Sequence, residues 1–89
     1  MQRTKIIATE VAMPVTAGAA SSISEATCVR LYNGSGAAAT VSISTAVGAA
    51  STNKFTMATG SVEFLQKAST DVIFASSASV LATKVGLTN

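Results

Sequence analysis

No stretch of this chain brings apolar residues back at helical spacing, and where a period is visible it is two. Val and Ile number 14 against four Leu, and β-branched side chains fit a pleated, half-buried surface better than a helix. Alternating or β-rich runs follow one another between turn signals: TKIIATEVAM (4–13) ends at Pro14, and ATCVRLYN (26–33) puts Val29 and Leu31 on one face. In AATVSIS (38–44), Val41 and Ile43 point inward against Thr40, Ser42 and Ser44. NKFTMAT (53–59), VEFLQK (62–67), DVIFAS (71–76) and SVLATKVGL (79–87) complete the series. About seven short strands at close spacing, with no crossover helix, predict an all-β fold, a small antiparallel β-sandwich or barrel. The glycines and asparagine of NGSG (33–36) predict a hairpin between the runs that flank it, and Gly60-Ser61 a second one. The Ala-rich VTAGAASSIS and TAVGAASTN, interrupted by Gly18 and Gly48, read as loops.

At 89 residues the chain is expected to form one domain, residues 1–89, since a split would leave two units too small to bury a core. Hydrophobic residues at 48% and charged residues at 11% are the reverse of a disordered composition. No apolar run approaches the roughly 20 residues of a membrane helix, and Glu10 interrupts any signal-peptide core, so a soluble, unprocessed chain that does not engage membranes is expected.

The net charge is +2, but Arg3, Lys5, Arg30, Lys54, Lys67 and Lys84 are scattered, with a single tyrosine and no tryptophan. Both facts argue against nucleic acid as a partner. Cys28 stands alone and the chain has no histidine, so an internal disulfide, a cysteine zinc site and a serine–histidine triad are all ruled out, and neither metal nor cofactor is expected. Cys28 has only Arg30 as a positive neighbour on its strand face and reads as a half-buried small hydrophobe.

Three charges sit in the most β-prone stretch. Glu63 and Lys67 share a face with Leu65, opposite Val62 and Phe64, which predicts that the charged side is the solvent side. A hairpin of 62–67 with 71–76 would bring Glu63 near Asp71, the one approach to a paired-carboxylate site. Exposed pairing with Lys67 or Lys84 is the commoner arrangement, and no enzymatic role is expected.

Side-chain size points to association. Ala, Ser and Thr supply 41 of 89 residues, against three Phe and four Leu, so the core is expected to be thin and the outer surface to be completed by neighbours. Residues 1–13 are the candidate assembly strand or arm. Ile6, Ile7 and Val11 form its apolar contact set, Arg3 and Lys5 guard its end, and the stretch beyond Pro14 is expected to be flexible.

GSVEFLQKASTDVIFASSASVLATKVGLT (60–88), within a match that runs over residues 53–88, resembles small virion proteins of tailed bacteriophages. In these proteins a strand ending in Glu-Phe-hydrophobic-x-Lys precedes Thr-Asp and an Ala-rich last strand. The first half follows in pattern: a strand, a Ser/Ala loop, and a strand into an Asn-Gly turn. The resemblance implies a β-sandwich present in many copies on the virion, assembled in the host cytoplasm, whose partners are itself and other virion proteins, chiefly the major capsid protein. It brings no catalytic positions. The expected role is capsid decoration or cement. The alternatives are a neck, tail or fibre component, or a carbohydrate- or host-surface-binding module, for which Tyr32 beside the turn is the only aromatic.

Overall fold

The computed structural model describes residues 3–49 and 53–88, in which eight strands, one 3-10 turn and no α-helix are found. The strands are β1 (Arg3–Ile6), β2 (Val11–Ala12), β3 (Cys28–Asn33), β4 (Ala39–Ser44), β5 (Asn53–Met57), β6 (Val62–Gln66), β7 (Val72–Ala75) and β8 (Val80–Thr88). They form two antiparallel sheets, as the period of two requires. In the larger, β1 and β2 both lie against β8, followed by β3 and then β6; the smaller runs β5-β4-β7. Between them lies one apolar cluster that includes Met13, Val29, Leu31, Val41, Met57 and Ile73.

The predicted hairpins are not there. β3 and β4, on either side of NGSG, belong to different sheets; so do β5 and β6, and β6 and β7. Among the described strands only β4 and β5 are both consecutive and paired. The chain passes from one sheet to the other after β3, β5, β6 and β7, so that inward residues of these successive strands face each other across the core instead of lying side by side.

Asn33 shows why the first crossing is stable. It is fully buried, and its amide donates to the carbonyls of Ala37 (3.1 Å) and Met57 (3.0 Å). Its side-chain oxygen accepts from the Ser35 N–H (3.0 Å) and hydroxyl (2.7 Å). Its own N–H donates to Ser61 and its carbonyl accepts from Gly60, while the Gly34 N–H reaches Ser79. One residue therefore joins the end of β3 to the end of β5 through its side chain and to the start of β6 through its backbone, with every side-chain polar atom satisfied, the condition for burying an amide.

The N-terminal run is broken. β1 pairs Ile6 with Val85, β2 pairs Val11 with Ala82, and the four residues between them oppose only two of β8. The two extra residues make a bulge that carries the chain off the ladder. Beyond it the path is tied down, contrary to the flexible stretch expected after Pro14. Met13 is buried and its N–H donates to Val80, the Pro14 carbonyl accepts from Ala75, and Ser21 exchanges two backbone bonds with Ile73. The segment thus crosses from the large sheet to the small one and covers the outer side of β7. Ala17–Ala19 turns into a short 3-10 element, and the Ala17 carbonyl accepts from Gly48, so the two Ala-rich loops meet. Ala50, Ser51 and Thr52 of the second loop lie outside the described residues.

Ile23, Ser24 and Glu25 all have left-handed backbone, with φ of 53°, 57° and 58°. Such a conformation costs about 1–2 kcal/mol per non-glycine residue. It persists here because the Ile23 side chain is buried, Ser21 and Ser22 hydroxyls accept from the N–H groups of Ile23 and Glu25, and the Lys84 ammonium donates to the Ser24 carbonyl at 2.9 Å.

Two substitutions test this account by denaturant unfolding. Asn33→Ala removes the amide donor from the Met57 and Ala37 carbonyls, of which only Ala37 keeps the Ser35 hydroxyl, and the acceptor of the Ser35 N–H, and is expected to lose about 3 kcal/mol. Ser24→Gly, at an exposed left-handed position, is expected to gain about 1 kcal/mol. A loss under about 1 kcal/mol at Asn33, or destabilisation by Ser24→Gly, contradicts it.

Candidate functional site

The two sheets present different outer surfaces, and the register shows why. On the small sheet the open outward positions are polar, Thr40, Lys54 and Thr56, while Ser42 and Val72 are buried on that side and Phe74 is half-buried beside Ser42. On the large sheet Arg30 stands between Phe64 and Thr83, Tyr32 between Val62 and Leu81, and Ile6 beside Val85, all turned away from the core. Ile6 is 72% exposed, Phe64 47% and Val62 40%. This face is apolar and open, and it is the strongest candidate for a binding surface among the described residues.

It corrects the expectation for β6. Val62 and Phe64 face solvent, whereas Leu65 is cross-strand from Val29 and packs against the core. Lys67, expected on the solvent side, is buried. Its stem lies at the end of the core and its ammonium donates to the carbonyls of Asp71 (2.9 Å) and Ala68 (3.3 Å), the arrangement by which a long basic side chain buries its methylenes and satisfies its head. Glu63 is exposed, as expected.

No carboxylate pair forms. Glu63 lies four residues along β6 from Lys67, about 13 Å at ~3.3 Å per residue. Asp71 closes the turn beyond Lys67, its carboxylate accepting from the Ala68 N–H at 3.3 Å. With β6 and β7 in different sheets, the hairpin that would have joined the two acids is absent. No group of three His, Cys, Asp or Glu residues among those described could hold a metal ion, and no helix is long and apolar enough to cross a membrane.

Two shallow grooves cross the apolar face. One, of about 430 Å³, is lined by Thr4, Ile6, Thr9, Glu10, Arg30 and Thr83. The other, of about 420 Å³, lies between Cys28, Phe64, Gln66 and Val85. The bulge between β1 and β2 aims Glu10 into the first, where its carboxylate meets the Arg30 guanidinium at 3.5 Å. The pair is partly exposed and worth at most about 1 kcal/mol, but it neutralises the only charges at the centre of the face. Cys28 is half-buried, as expected.

The proposed assembly residues are all exposed: Ile6 at 72%, Ile7 at 52% and Val11 at 44%. The segment that carries them is laddered to its own β8, with Lys5 opposite Gly86 and the Ile7 N–H donating to Lys84. Met1 and Gln2, the start of the expected arm, lie outside the described residues. The arm is thus held by backbone bonds while its apolar side chains remain open. Sequence reasoning placed Ile6 on the contact surface but missed Phe64 and Val62, because it assigned the larger apolar pair of β6 to the core. The neighbouring Leu65-x-Lys67 spacing, a hydrophobe followed by a long amphipathic stem, was the signal available.

No protein-family model, no curated protein and no solved structure matches the chain.

Two outcomes follow. Removing residues 1–7 deletes no described buried side chain and is expected to cost under about 2 kcal/mol with the sheet retained, whereas Met13→Ala should cost about 3 kcal/mol. Equal losses in chemical denaturation would contradict the picture. Burial holds the pKa of Lys67 below its ordinary 10.5, with Asp71 opposing and Lys84 adding to the shift. In the window just below 10.5 the unfolded chain then binds more protons than the folded one, so stability rises with pH there. The expected result is a rise that is flattened in Lys67→Met; a slope that is the same in both proteins would contradict it.

Proposed function

We propose that this chain is a virion structural protein of a tailed bacteriophage, a capsid decoration or cement protein that holds to the shell through the outer face of its large sheet. The observation that carries the reading is the asymmetry between the open positions of the two faces: Thr40, Lys54 and Thr56 on one, and Ile6, Val62 and Phe64 on the other, with its central charges already paired. A module with one adhesive and one solvated face suits a particle surface. The resemblance of residues 53–88 to small phage virion proteins supplies the context. Copies of the chain itself and the major capsid protein are the partners, and the virion, assembled in the host cytoplasm, is the location. Each attachment can be weak, because a shell offers many sites at once.

Co-sedimentation with assembled phage heads tests this. The chain is expected to pellet with heads, and Ile6→Glu, which puts a charge on the apolar face, is expected to weaken binding at least tenfold. Thr56→Glu, on the polar face, should leave binding within about twofold. A chain that stays in the supernatant, or one whose binding depends on Thr56 and not on Ile6, overturns the reading.

A further inference from the structure

The sandwich has four sheet edges, and three carry devices that stop further strands from adding. β7 is covered by Pro14 and Ser21, whose carbonyl and amide groups bond Ala75 and Ile73. β1 and β2 are short, of four and two residues, and a bulge separates them. β5 carries Lys54 at its exposed edge. Short strands, bulges and lysine are the usual protections of an edge.

β6 has none of these. It runs five residues, Val62–Gln66, without Lys, Pro or bulge. Asn33 N–H donates to Ser61 and Lys67 N–H to Thr27, so by alternation Glu63 and Leu65 also bond β3. The N–H and C=O groups of Val62, Phe64 and Gln66 therefore point away from β3, and no other strand of the described chain reaches them. Three donor–acceptor sets at a spacing of two, beside two exposed apolar side chains, make an open template for another strand.

We infer that the occupant is the β6 of a second copy, paired antiparallel about a two-fold axis at Phe64. The strand is self-complementary about that residue. Val62 falls opposite the partner strand's Gln66 and Phe64 opposite its counterpart, while the only charge, Glu63, falls opposite Leu65 and away from the other Glu63. No like charges oppose, which is what an isologous contact requires. The two large sheets become one continuous sheet, and their apolar outer faces join into a single surface twice as broad. A five-residue seam is small beside the roughly 1,200–2,000 Å² of a stable complex, so the dimer dissociates on dilution and is favoured where copies are concentrated. It forms with the chain alone and does not depend on the virion reading.

Sedimentation equilibrium over a range of protein concentrations tests the seam. The expected result is a monomer–dimer equilibrium that Gln66→Pro weakens at least tenfold. Proline at that position removes an outward N–H, present twice across the axis, and leaves the bonds from β6 to β3 intact. Ile6→Glu, on the same outer face but at the far side of the sheet, should change dimerisation less than twofold, whereas it would disrupt a face-to-face dimer. Circular dichroism confirms that each variant folds, and Val62→Pro, which removes another outward N–H, replaces Gln66→Pro if that variant does not. A chain that stays monomeric at all concentrations overturns the proposal, as does a dimer that tolerates the folded proline variant or is lost in Ile6→Glu.

Discussion

The fold turns on one buried amide. Asn33 sits where the chain leaves the large sheet for the small one, and its four side-chain hydrogen bonds hold the turn after β3 and the end of β5. Its backbone holds the start of β6. A side chain this polar is costly in an apolar interior unless every donor and acceptor is met. Here they are met only when the end of β5 reaches the turn after β3, so the requirement favours the crossing over the hairpin that a glycine-rich turn would also permit. The fixed positions of β3, β5 and β6 determine which sheets have free edges and which residues face out.

A thin core makes the surface matter. None of the three phenylalanines is fully buried: Phe55 only packs against the cluster, Phe74 is half-covered and Phe64 is open to solvent. The interior is filled by Met, Val, Ile, Leu and Ala, and a gap of about 110 Å³ remains between the sheets beside Val41, Phe55 and Leu65. A chain with so few large side chains leaves apolar area on its outer sheet face. That face and the open edge of β6 are contiguous through Val62 and Phe64, so a contact at one can extend over the other.

Strand positions were legible because an alternating run is a local property. Each predicted run contains an observed strand within a few residues, and Val29 and Leu31 face the core as expected. The partner of each strand was not legible, since NGSG is compatible with a hairpin or a crossing and the choice depends on Ser61, Gly60 and Met57, up to 28 residues away. The face of β6 was misread for a related reason. Period two separates Val62 and Phe64 from Glu63, Leu65 and Lys67, but only the pairing of Leu65 with Val29 says which set points inward. The break in the N-terminal run was hidden because a two-residue offset against β8 leaves no mark in the pattern of apolar residues. Ile6, Ile7 and Val11 could be seen as an apolar set at a chain end, but only the sheet shows that Ile6 alone of the three lies on the outer face, Val11 being cross-strand from core-facing Ala82, and that β6 contributes to it.

Native-state hydrogen exchange tests the central role of Asn33 most directly. The amides of Asn33, Gly34 and Gly60, which bond across the strand ends gathered there, are predicted to exchange only with global unfolding, as slowly as strand-centre amides such as Leu31 and Val41. The Lys5 and Ile7 amides, on the exposed edge strand, are predicted to exchange through local opening at lower free energy. If Gly34 and Gly60 instead exchange as readily as Lys5 and Ile7, the crossing at Asn33 is a loose turn and does not hold the sandwich closed.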